Sequence, residues 1–458
     1  MSFSSVEILR KLHNKLLILL DITKLIPALS FLYNIAIGAY GAAIGAAGAF
    51  NNKARLFKEG RKGLLEKLAS QIDHTHPIIW FHCSSVGEFE QARPLIEWYK
   101  ENRKEYRILL TFFSPSGYEM RKNYPLADWI CYMPLDTASN ARKFLDIVKP
   151  QKAIFIKYEF WYNFLTQLQK RGVQTYIVSA IFREDQPFFK PYGGLFRKML
   201  KSFSALFVQD AQSAKLLDSI GLKENVLVCG DTRFDRVNQI TAASKEFPAI
   251  ETFSRNAFTV LAGSTWGPCE EMLAATVKNF SKVKLVIAPH EIHKEHIDKI
   301  CTVFKGYRII KFSEFNNKFM EAYNSGSEAL AGYEKELEEA NVLLIDCLGI
   351  LSSIYRYGKF AYIGGGFGVG IHNILEAATY GIPVVFGPNY RKFKEARDLI
   401  ERQGAISVRG QEEFYSLLDK FIKDEGLRKD RGNICLNYVK ENLGATEKII
   451  GKIENISF

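Results

Sequence analysis

Residues 78–88 read IIWFHCSSVGE, an apolar run followed by small polar residues and then a glutamate. The run Ile78–His82 has the length and composition of a buried β-strand, whereas Glu88–Asn102 has the pattern of an amphipathic helix. The stretch therefore predicts a strand, a short loop and a helix. This is the beginning of a βαβ unit, in which the loop lies at the carboxyl end of a parallel strand.

The same alternation continues along most of the chain. Further strands are predicted at Arg107–Phe112, Trp129–Tyr132, Ala153–Ile156, Gln174–Ser179, Ala205–Val208 and Val226–Cys229, and then at Phe258–Ala262, Lys284–Ala288, Arg308–Ile310, Val342–Ile345, Phe360–Ile363, Pro383–Phe386 and Ala405–Val408. Because these runs are apolar and rich in β-branched residues, we expect parallel sheets that are covered on both faces.

A polar stretch around residue 245 separates the two series of strands. We therefore predict an α/β protein with two Rossmann-like domains, residues 63–245 and 246–458. Residues 411–458 are expected to be helical and to pack back on the first domain. Residues 313–340 have many charges and few large apolar side chains, which predicts an exposed insertion.

The composition limits the classes of partner. The 458 residues include 61 Lys and Arg against 50 Asp and Glu, a net charge of +11, and 47% are hydrophobic. The hydrophobic content excludes a disordered or fibrous protein. The positive charge indicates an acidic partner, which could be a nucleic acid, an anionic membrane or a phosphorylated substrate. Neither histidines nor cysteines have metal-ligand spacing, so we expect no metal and no cofactor.

The first 62 residues have the features of a membrane-associated segment. No charged residue occurs in residues 25–52, and 28 residues are long enough to cross a hydrocarbon layer as a helix. Residues 1–24 fit an interfacial amphipathic helix. The basic residues that follow would lie against anionic headgroups and keep the remaining chain cytoplasmic; they are Lys53, Arg55, Lys58, Arg61 and Lys62. The alternative is a helical hairpin buried against the globular body.

In the loop after the first strand, Ser85 and Glu88 have the S-x-x-E spacing of a capping box. Glu88 could therefore serve only as a helix cap. The functional alternative is a carboxylate that removes a proton from an acceptor hydroxyl. Two further charges follow predicted strands, Glu159 beside aromatic residues and Arg233 near the domain boundary. Each of these two, taken alone, is more simply interpreted as a surface charge.

Two loops of the second half also follow strands. Residues 363–376, IGGGFGVGIHNILE, place five glycines before a predicted helix, where backbone amides can approach a phosphate. Asn373 and Glu376 would share one helical face, with Glu376 accepting from ribose hydroxyls and Asn373 near the phosphate. The second loop contains Ser264 and Thr265, which could hold a phosphate or a sugar. The alternatives are an ordinary glycine-rich turn and an ordinary N-cap.

Together these segments resemble the 3-deoxy-D-manno-octulosonic acid (Kdo) transferases of lipopolysaccharide assembly, which are GT-B glycosyltransferases that use CMP-Kdo. The matching segments are residues 85–88 (S-V-G-E), 159–161 (E-L-W in the family), 263–265 (G-S-T) and 372–376 (H-N-x-x-E). Three positions depart from the family. His290 follows Pro289 in place of an arginine, Arg233 stands for a lysine, and Ile350 replaces the polar middle residue of a G-E-L segment.

The resemblance implies two Rossmann-like domains facing a central cleft. It also implies an inverting transfer of Kdo from CMP-Kdo to a phosphorylated lipid A precursor, lipid IVA, at the cytoplasmic face of the inner membrane. Glu88 would be the general base, assisted by Glu159 and Arg233. The residues implied to bind the donor are Ser264, Thr265, Pro289, His290, Gly349, Ile350, Leu351, Asn373, Ile374, Leu375 and Glu376. The charge on departing CMP would be met by a helix N-terminus after Gly370.

The implied partners are CMP-Kdo, the lipid acceptor and the anionic membrane surface, and no nucleic acid is expected. Two other interpretations stay open at this point. One is a different GT-B enzyme that acts on a nucleotide sugar, such as an epimerase. The other is a non-catalytic, membrane-bound sensor of nucleotide sugars.

Overall fold

The computed structural model describes residues 29–456, which divide into two compact units. The first unit comprises residues 29–232 and 444–456, and the second is Arg233–Leu443. Each unit contains a sheet of seven strands, and all strand pairs in both sheets are parallel. The interfacial helix predicted within residues 1–24 lies outside the described residues.

The sheet of the first unit has the order β3-β2-β1-β4-β5-β6-β7. Its strands are β1 Ile78–Cys83, β2 Arg107–Phe112, β3 Trp129–Tyr132, β4 Lys152–Ile156, β5 Gln174–Ala180, β6 Ala205–Val208 and β7 Val226–Val228. The helices of this unit are α1 Leu29–Ala47, α2 Asn52–Glu59, α3 Leu64–Gln71, α4 Val86–Asn102, α5 Pro115–Arg121, α6 Ala138–Val148, α7 Tyr162–Lys170, α8 Gly194–Leu200, α9 Ala211–Asp218 and, near the C-terminus, α21 Ala445–Glu454.

The sheet of the second unit has the order β10-β11-β9-β8-β12-β13-β14. Its strands are β8 Phe258–Thr265, β9 Val283–Pro289, β10 Ile309–Lys311, β11 Val342–Leu344, β12 Phe360–Ile363, β13 Val384–Phe386 and β14 Ala405–Ser407. Its helices are α10 Thr232–Ala242, α11 Pro248–Ser254, α12 Gly267–Asn279, α13 Lys294–Val303, α14 Phe312–Ser325, α15 Ala329–Glu339, α16 Leu351–Ile354, α17 Leu375–Ala378, α18 Lys394–Glu401, α19 Gln411–Lys423 and α20 Glu425–Glu441.

Both faces of each sheet are buried, as expected for parallel strands. In β1, Trp80 packs into a cluster with Phe144 of α6, whereas Phe81 packs on the opposite face with Leu95 of α4. This alternation follows from the two-residue period of a strand. The predicted α/β class and the predicted strands are confirmed, with ends that shift by a few residues.

The boundary between the units differs from the predicted division at residue 245. Phe234 and Val237 of α10 are buried in the core of the second unit, so this unit begins at Arg233. Of the predicted C-terminal helices, α19 and α20 belong to the second unit, and α21 packs on the first unit. The sequence pattern could not place these helices because an apolar face does not identify the surface that covers it.

The exposed insertion predicted at residues 313–340 is wrong. These residues form most of α14 and all of α15, which connect β10 to β11. Phe315 and Phe319, spaced by one helical turn, and Leu337 are buried in the core of the second unit. The many charges lie on the outer faces of two amphipathic helices, which is why the composition suggested an insertion.

Helix α1 is the one described helix that is long and apolar enough to cross a membrane. One side of it contacts the first unit: the Tyr33 hydroxyl donates to Asp136 Oδ2 at 2.6 Å, and Asn163 Nδ2 donates to Asn34 Oδ1 at 3.0 Å. The other side exposes large apolar residues, including Phe31. Helix α1 is therefore neither fully surrounded by protein, as in the buried-hairpin alternative, nor separate from the folded unit.

Arg61 was expected to face headgroups with the other basic residues of the segment, but it points into the first unit. Its guanidinium donates to the carbonyl oxygens of Phe57, Phe113 and Met133, and lies 3.5 Å from the centre of the Phe57 ring. Burial lowers the pKa of this guanidinium to about 10. Arg61 therefore fixes the segment to the fold through hydrogen bonds and a cation–π contact.

Candidate active site

The candidate base lies at the carboxyl ends of β1 and β4, which are neighbours in the sheet of the first unit. The loop after β1 leads through Ser84 to Glu88 in the first turn of α4, and β4 leads to Glu159. Adjacent parallel strands end at the same edge of a sheet, so residues 71 positions apart converge there. The structure thus brings together two carboxylates that the sequence presented separately.

Glu88 makes the capping interactions that its spacing predicted. Its backbone N–H donates to Ser85 Oγ at 3.4 Å, and its carboxylate accepts from the backbone N–H groups of Ser84 and Ser85. Such bonds lower the pKa of a carboxyl group. Burial and the charge of Glu159 outweigh them, however, and raise the pKa of Glu88 to about 8. A carboxyl group that served only as a helix cap would have a lowered pKa.

Glu159 is buried and held by several donors. The Trp161 indole N–H donates to its Oε2 at 2.6 Å, the Ser84 hydroxyl donates to the carboxylate, and His82 Nε2 lies 3.0 Å from Oε2. Burial acts to raise the pKa of Glu159, but these contacts, with His82 first among them, leave it lowered. The two carboxyl groups therefore differ in protonation: Glu159 stays ionised, whereas Glu88 can gain and lose a proton near neutral pH.

Sequence reasoning missed His82, Ser84 and Lys157 as parts of this site. Lys157 follows β4 with a backbone φ of 67°, a region that side chains other than glycine seldom adopt, and its charge partly lowers the pKa of Glu88. The strand order indicates that these residues belong to the site, because it makes the end of β1 a neighbour of the end of β4.

In the second unit the ends of β8, β9 and β12 converge, and the donor-binding candidates lie there. A Cβ atom at Gly364 would lie 1.9 Å from the carbonyl oxygen of Ser264, so glycine is required for the two loops to approach. The His290 backbone N–H donates to the Thr265 carbonyl oxygen at 3.1 Å, while the buried Thr265 hydroxyl donates to Glu270 at 2.9 Å. The Thr265 side chain is thus already engaged within the protein.

The imidazole rings of His290 and His372 stack with their centres 4.1 Å apart. The Trp266 indole N–H donates to His372 Nε2 at 3.1 Å. Burial, followed by the neighbouring His290, lowers the pKa of His372 to about 4, and burial also lowers the pKa of His290. Near pH 7 this pair is therefore uncharged.

The segment after the glycine-rich loop differs from the predicted helix. Helix α17 begins at Leu375, five residues after Gly370, and has a single turn, so Asn373 does not share a helical face with Glu376. Asn373 precedes the helix, where its Oδ1 accepts from the Leu375 N–H at 3.1 Å and its Nδ2 donates to Glu376 at 3.0 Å. Ile374 and Leu375, which the resemblance implied as donor-binding residues, are fully buried in the core of the second unit.

The remaining predicted residues also lie in the second unit. Pro289 is the last residue of β9, Gly349 has a backbone φ of 90°, and Ile350 and Leu351 are half-buried at the start of α16. Arg233 Nη1 lies 2.9 Å from Glu395 Oε1.

Beside the glycine-rich loop is a cavity of about 570 Å³ that the sequence did not indicate. Its lining consists of Gly368, Val369, Pro388, Asn389, Arg391 and Lys392. Within residues 29–456, no group of three or more His, Cys, Asp or Glu side chains is arranged to hold a metal ion.

Known proteins are similar to this chain over most of its length. Residues 58–236 match the family model of 3-deoxy-D-manno-octulosonic-acid transferase (kdotransferase). A 3-deoxy-D-manno-octulosonic acid transferase of Aquifex aeolicus is 28% identical over 354 residues, which cover 75% of this chain and 86% of the relative.

Two solved structures share the fold at low sequence identity. A putative UDP-N-acetylglucosamine 2-epimerase of Listeria monocytogenes has a TM-score of 0.56 and 12% identity over 83% of this chain and 96% of its own. MurG of Acinetobacter baumannii has a TM-score of 0.51 and 10% identity over 83% of this chain and all of its own.

The two parallel sheets and these two structures define the GT-B fold. Over residues 58–236 and along 75% of its length the chain is similar to Kdo transferases, as its motifs predicted, which indicates a glycosyltransferase. At 10 to 12% identity, the similarity to the epimerase and to MurG concerns the fold alone.

Proposed function

We propose that this enzyme transfers Kdo from CMP-Kdo to a phosphorylated lipid A precursor, lipid IVA, with inversion at the anomeric carbon and with Glu88 as the general base. The observation that carries the proposal is the carboxylate pair of the first unit. Glu88 has a pKa raised to about 8, and Glu159 beside it has a lowered pKa. A base whose pKa lies near the working pH combines sufficient basicity with a usable ionised fraction.

In the proposed step, ionised Glu88 takes the proton of a sugar hydroxyl on the acceptor. That oxygen forms a bond to the anomeric carbon of Kdo while the bond from this carbon to the phosphate oxygen of CMP breaks. Glu88 then loses the proton to solvent. Glu159 remains ionised, and its charge makes Glu88 a stronger base than an isolated carboxylate.

The donor is assigned to the second unit. The glycine-rich loop offers backbone N–H groups, Glu376 offers a carboxylate for the ribose hydroxyls, and the His290–His372 pair offers flat polar surfaces. Arg233 is proposed to meet charge on the departing CMP, by analogy with the cation that the family has at this position. No step of this proposal requires a metal ion.

The acceptor is proposed to be reached at the cytoplasmic face of the inner membrane. Helix α1 exposes Phe31, Leu32 and Ile35 on the side that does not contact the first unit. Exposed Lys53 and Lys58 follow it in the chain and would favour anionic headgroups. An apolar face next to basic residues supports attachment to an anionic membrane and access to a phosphorylated lipid.

The test is the rate of CMP release from CMP-Kdo by detergent-purified protein in the presence of the lipid acceptor. Glu88→Gln is expected to lower kcat by at least about 100-fold, because the substitution removes the base and retains the shape of the side chain. Glu97→Gln is a matched control on the same helix, since Glu97 pairs with Arg93 at 2.8 Å and lies nine residues after Glu88. Equal losses in both variants would contradict the base assignment, and CMP-Kdo binding without release in wild type would favour the sensor interpretation.

A further inference from the structure

A histidine side chain is fully buried within β1, whose other residues, Ile78 to Cys83, are apolar. His82 lies between the two neighbouring strands of the site. Its Nδ1 is 2.8 Å from Thr111 Oγ1 of β2, and its Nε2 is 3.0 Å from Glu159 Oε2 after β4. A buried imidazole is costly unless both ring nitrogens are hydrogen-bonded, and here both are.

The direction of these hydrogen bonds follows from a tryptophan on the same strand. The Trp80 indole N–H can only donate, and it donates to Thr111 Oγ1 at 2.8 Å. The hydroxyl hydrogen of Thr111 must then point elsewhere. His82 Nδ1 at 2.8 Å is closer than the Phe81 carbonyl oxygen at 3.3 Å. With Thr111 donating to Nδ1, the ring hydrogen is on Nε2 and is donated to Glu159.

We propose that His82 is a positioning residue that keeps Glu159 as the ionised member of the carboxylate pair, so that the exchangeable proton resides on Glu88. This inference rests on the proposed function of Glu88 as the base. Two carboxyl groups that interact at close range share protons, and the better-solvated or better hydrogen-bonded member holds the negative charge. Without His82, buried Glu159 keeps only the donors of Ser84 and Trp161 and becomes the better proton acceptor.

Three other titratable groups surround the pair. Cys83 at the end of β1 is fully buried, and burial raises its pKa well above the ordinary value, so it stays neutral. Lys157 after β4 is positively charged and acts on Glu88. Glu90 on α4 forms an ion pair with Arg121 at 3.0 Å. The side-chain hydrogen bonds that lower the pKa of Glu159 come from His82, Ser84 and Trp161, so removal of His82 takes away one of these donors.

The test uses His82→Leu, which removes the donor, and His82→Gln, which can still donate an amide N–H to Glu159. The pH dependence of kcat/KM for CMP release should have its acidic limb at pH about 8 in wild type. In His82→Leu we expect this limb to move down by about one pH unit or more, because Glu159 takes the proton and no longer raises the pKa of Glu88. His82→Gln should return the limb toward the wild-type position.

A purely structural role for His82 would lower the melting temperature and the amount of active enzyme but leave the limb at its wild-type pH, and that result would overturn the proposal. If His82→Leu does not fold, Thr111→Val replaces it. Valine has the shape of threonine and removes the hydroxyl that fixes the ring tautomer. The limb should then move in the same direction by a smaller amount, and an unmoved limb in folded Thr111→Val would also overturn the proposal.

A second measurement separates this inference from the proposed reaction. Titration of protein labelled with ¹³C at the glutamate carboxyl carbons reports the pKa of Glu88 without any turnover, and the Glu88→Gln spectrum identifies its signal. If wild type does not use CMP-Kdo but the Glu88 signal titrates lower in the His82 variant, the proposed reaction fails and the positioning role stands. An unchanged Glu88 titration in the folded variant refutes the positioning role whatever the reaction.

Discussion

Replacement of Glu88 by glutamine should stabilise the protein, and increasingly so as the pH rises. The folded state raises the pKa of this carboxyl from its ordinary value of 4.5 to about 8. Because the folded pKa is the higher one, the protonated form favours folding. The contribution of this carboxyl group to the free energy of unfolding is fully present below pH 4.5 and is lost as the pH rises to about 8. Glutamine has the same shape, is always neutral and can still accept from the backbone N–H of Ser84.

The size of the effect follows from the shift. A rise of about 3.5 pKa units at 1.36 kcal/mol per unit corresponds to at most about 5 kcal/mol above pH 8. Glu88 is partly exposed and titrates together with Glu159, so solvent screening and relaxation of the structure reduce the stabilisation by Glu88→Gln to roughly 2 kcal/mol. For a unit of this size, that difference raises the melting temperature by about 4–8 °C.

The assay is thermal unfolding followed by tryptophan fluorescence at pH 6, 7, 8 and 9. Four of the five tryptophans lie in the first unit, so the signal reports mainly the unit that contains Glu88. The melting temperature of Glu88→Gln should exceed that of wild type by a margin that widens up to pH 8 and then levels off. Glu97→Gln should show no such widening. A margin that is constant or that narrows with pH would refute the raised pKa, and with it the assignment of Glu88 as a base tuned to neutral pH.

Three further predictions concern other parts of the chain. His290→Arg should lower the KM for CMP-Kdo about 3- to 10-fold in steady-state kinetics, because a permanent cation replaces an imidazole that is neutral near pH 7. An unchanged KM would show that the phosphate of CMP-Kdo does not bind beside residue 290. Tyr33→Phe removes the hydrogen bond to Asp136 and should weaken the packing of α1 on the first unit by about 1 kcal/mol. We expect faster proteolysis at the C-terminal end of α1 in this variant. Equal proteolysis rates in the variant and in wild type would show that other contacts hold α1. Glu454→Gln removes the carboxylate that pairs with buried Lys152 and should destabilise the first unit by about 3 kcal/mol at pH 7. Contacts with Lys152 and Tyr99 outweigh burial and lower the pKa of Glu454, so the difference in stability should shrink as the pH falls below about 4.5. A difference that persists at lower pH would contradict the charge-based explanation.

The strands were predictable because fully buried parallel strands are short, apolar and bounded by polar loops. Every predicted strand is present, although β8 is three residues longer than expected. The extension contains Ser264 with a backbone φ of 52° and a break in the register with β9. A positive φ at a serine depends on the loops packed around it, and no local pattern in the sequence signals it.

The candidate site was only half predictable. The S-x-x-E spacing identified Glu88 but could not decide between a cap and a base, because both roles place the carboxyl at a helix N-terminus. The features that favour a base are the burial of Glu88 and the nearby charge of Glu159. Both depend on the order of β1 and β4 in the sheet, and the order of strands in the sequence does not state which strands are neighbours.

Charge in the sequence is poor evidence of exposure at two places in this chain. The sequence predicts Arg61 as a surface cation, yet its long side chain lies over an aromatic ring and donates to three carbonyl oxygens. In α14, the apolar pair Phe315 and Phe319 was outweighed by the charges on the opposite face of the same helix. In α14 the spacing of the apolar residues is more informative than the local charge.

The proposed transfer of Kdo to a phosphorylated lipid is tested most directly by the mass of the acceptor lipid. Purified wild-type protein, CMP-Kdo and lipid IVA should yield a lipid heavier by one or more Kdo units, with one CMP released for each unit. The Glu88→Gln protein should leave the lipid mass unchanged under the same conditions. An unchanged lipid mass with wild type, although CMP-Kdo binding is demonstrated, would contradict the proposed reaction.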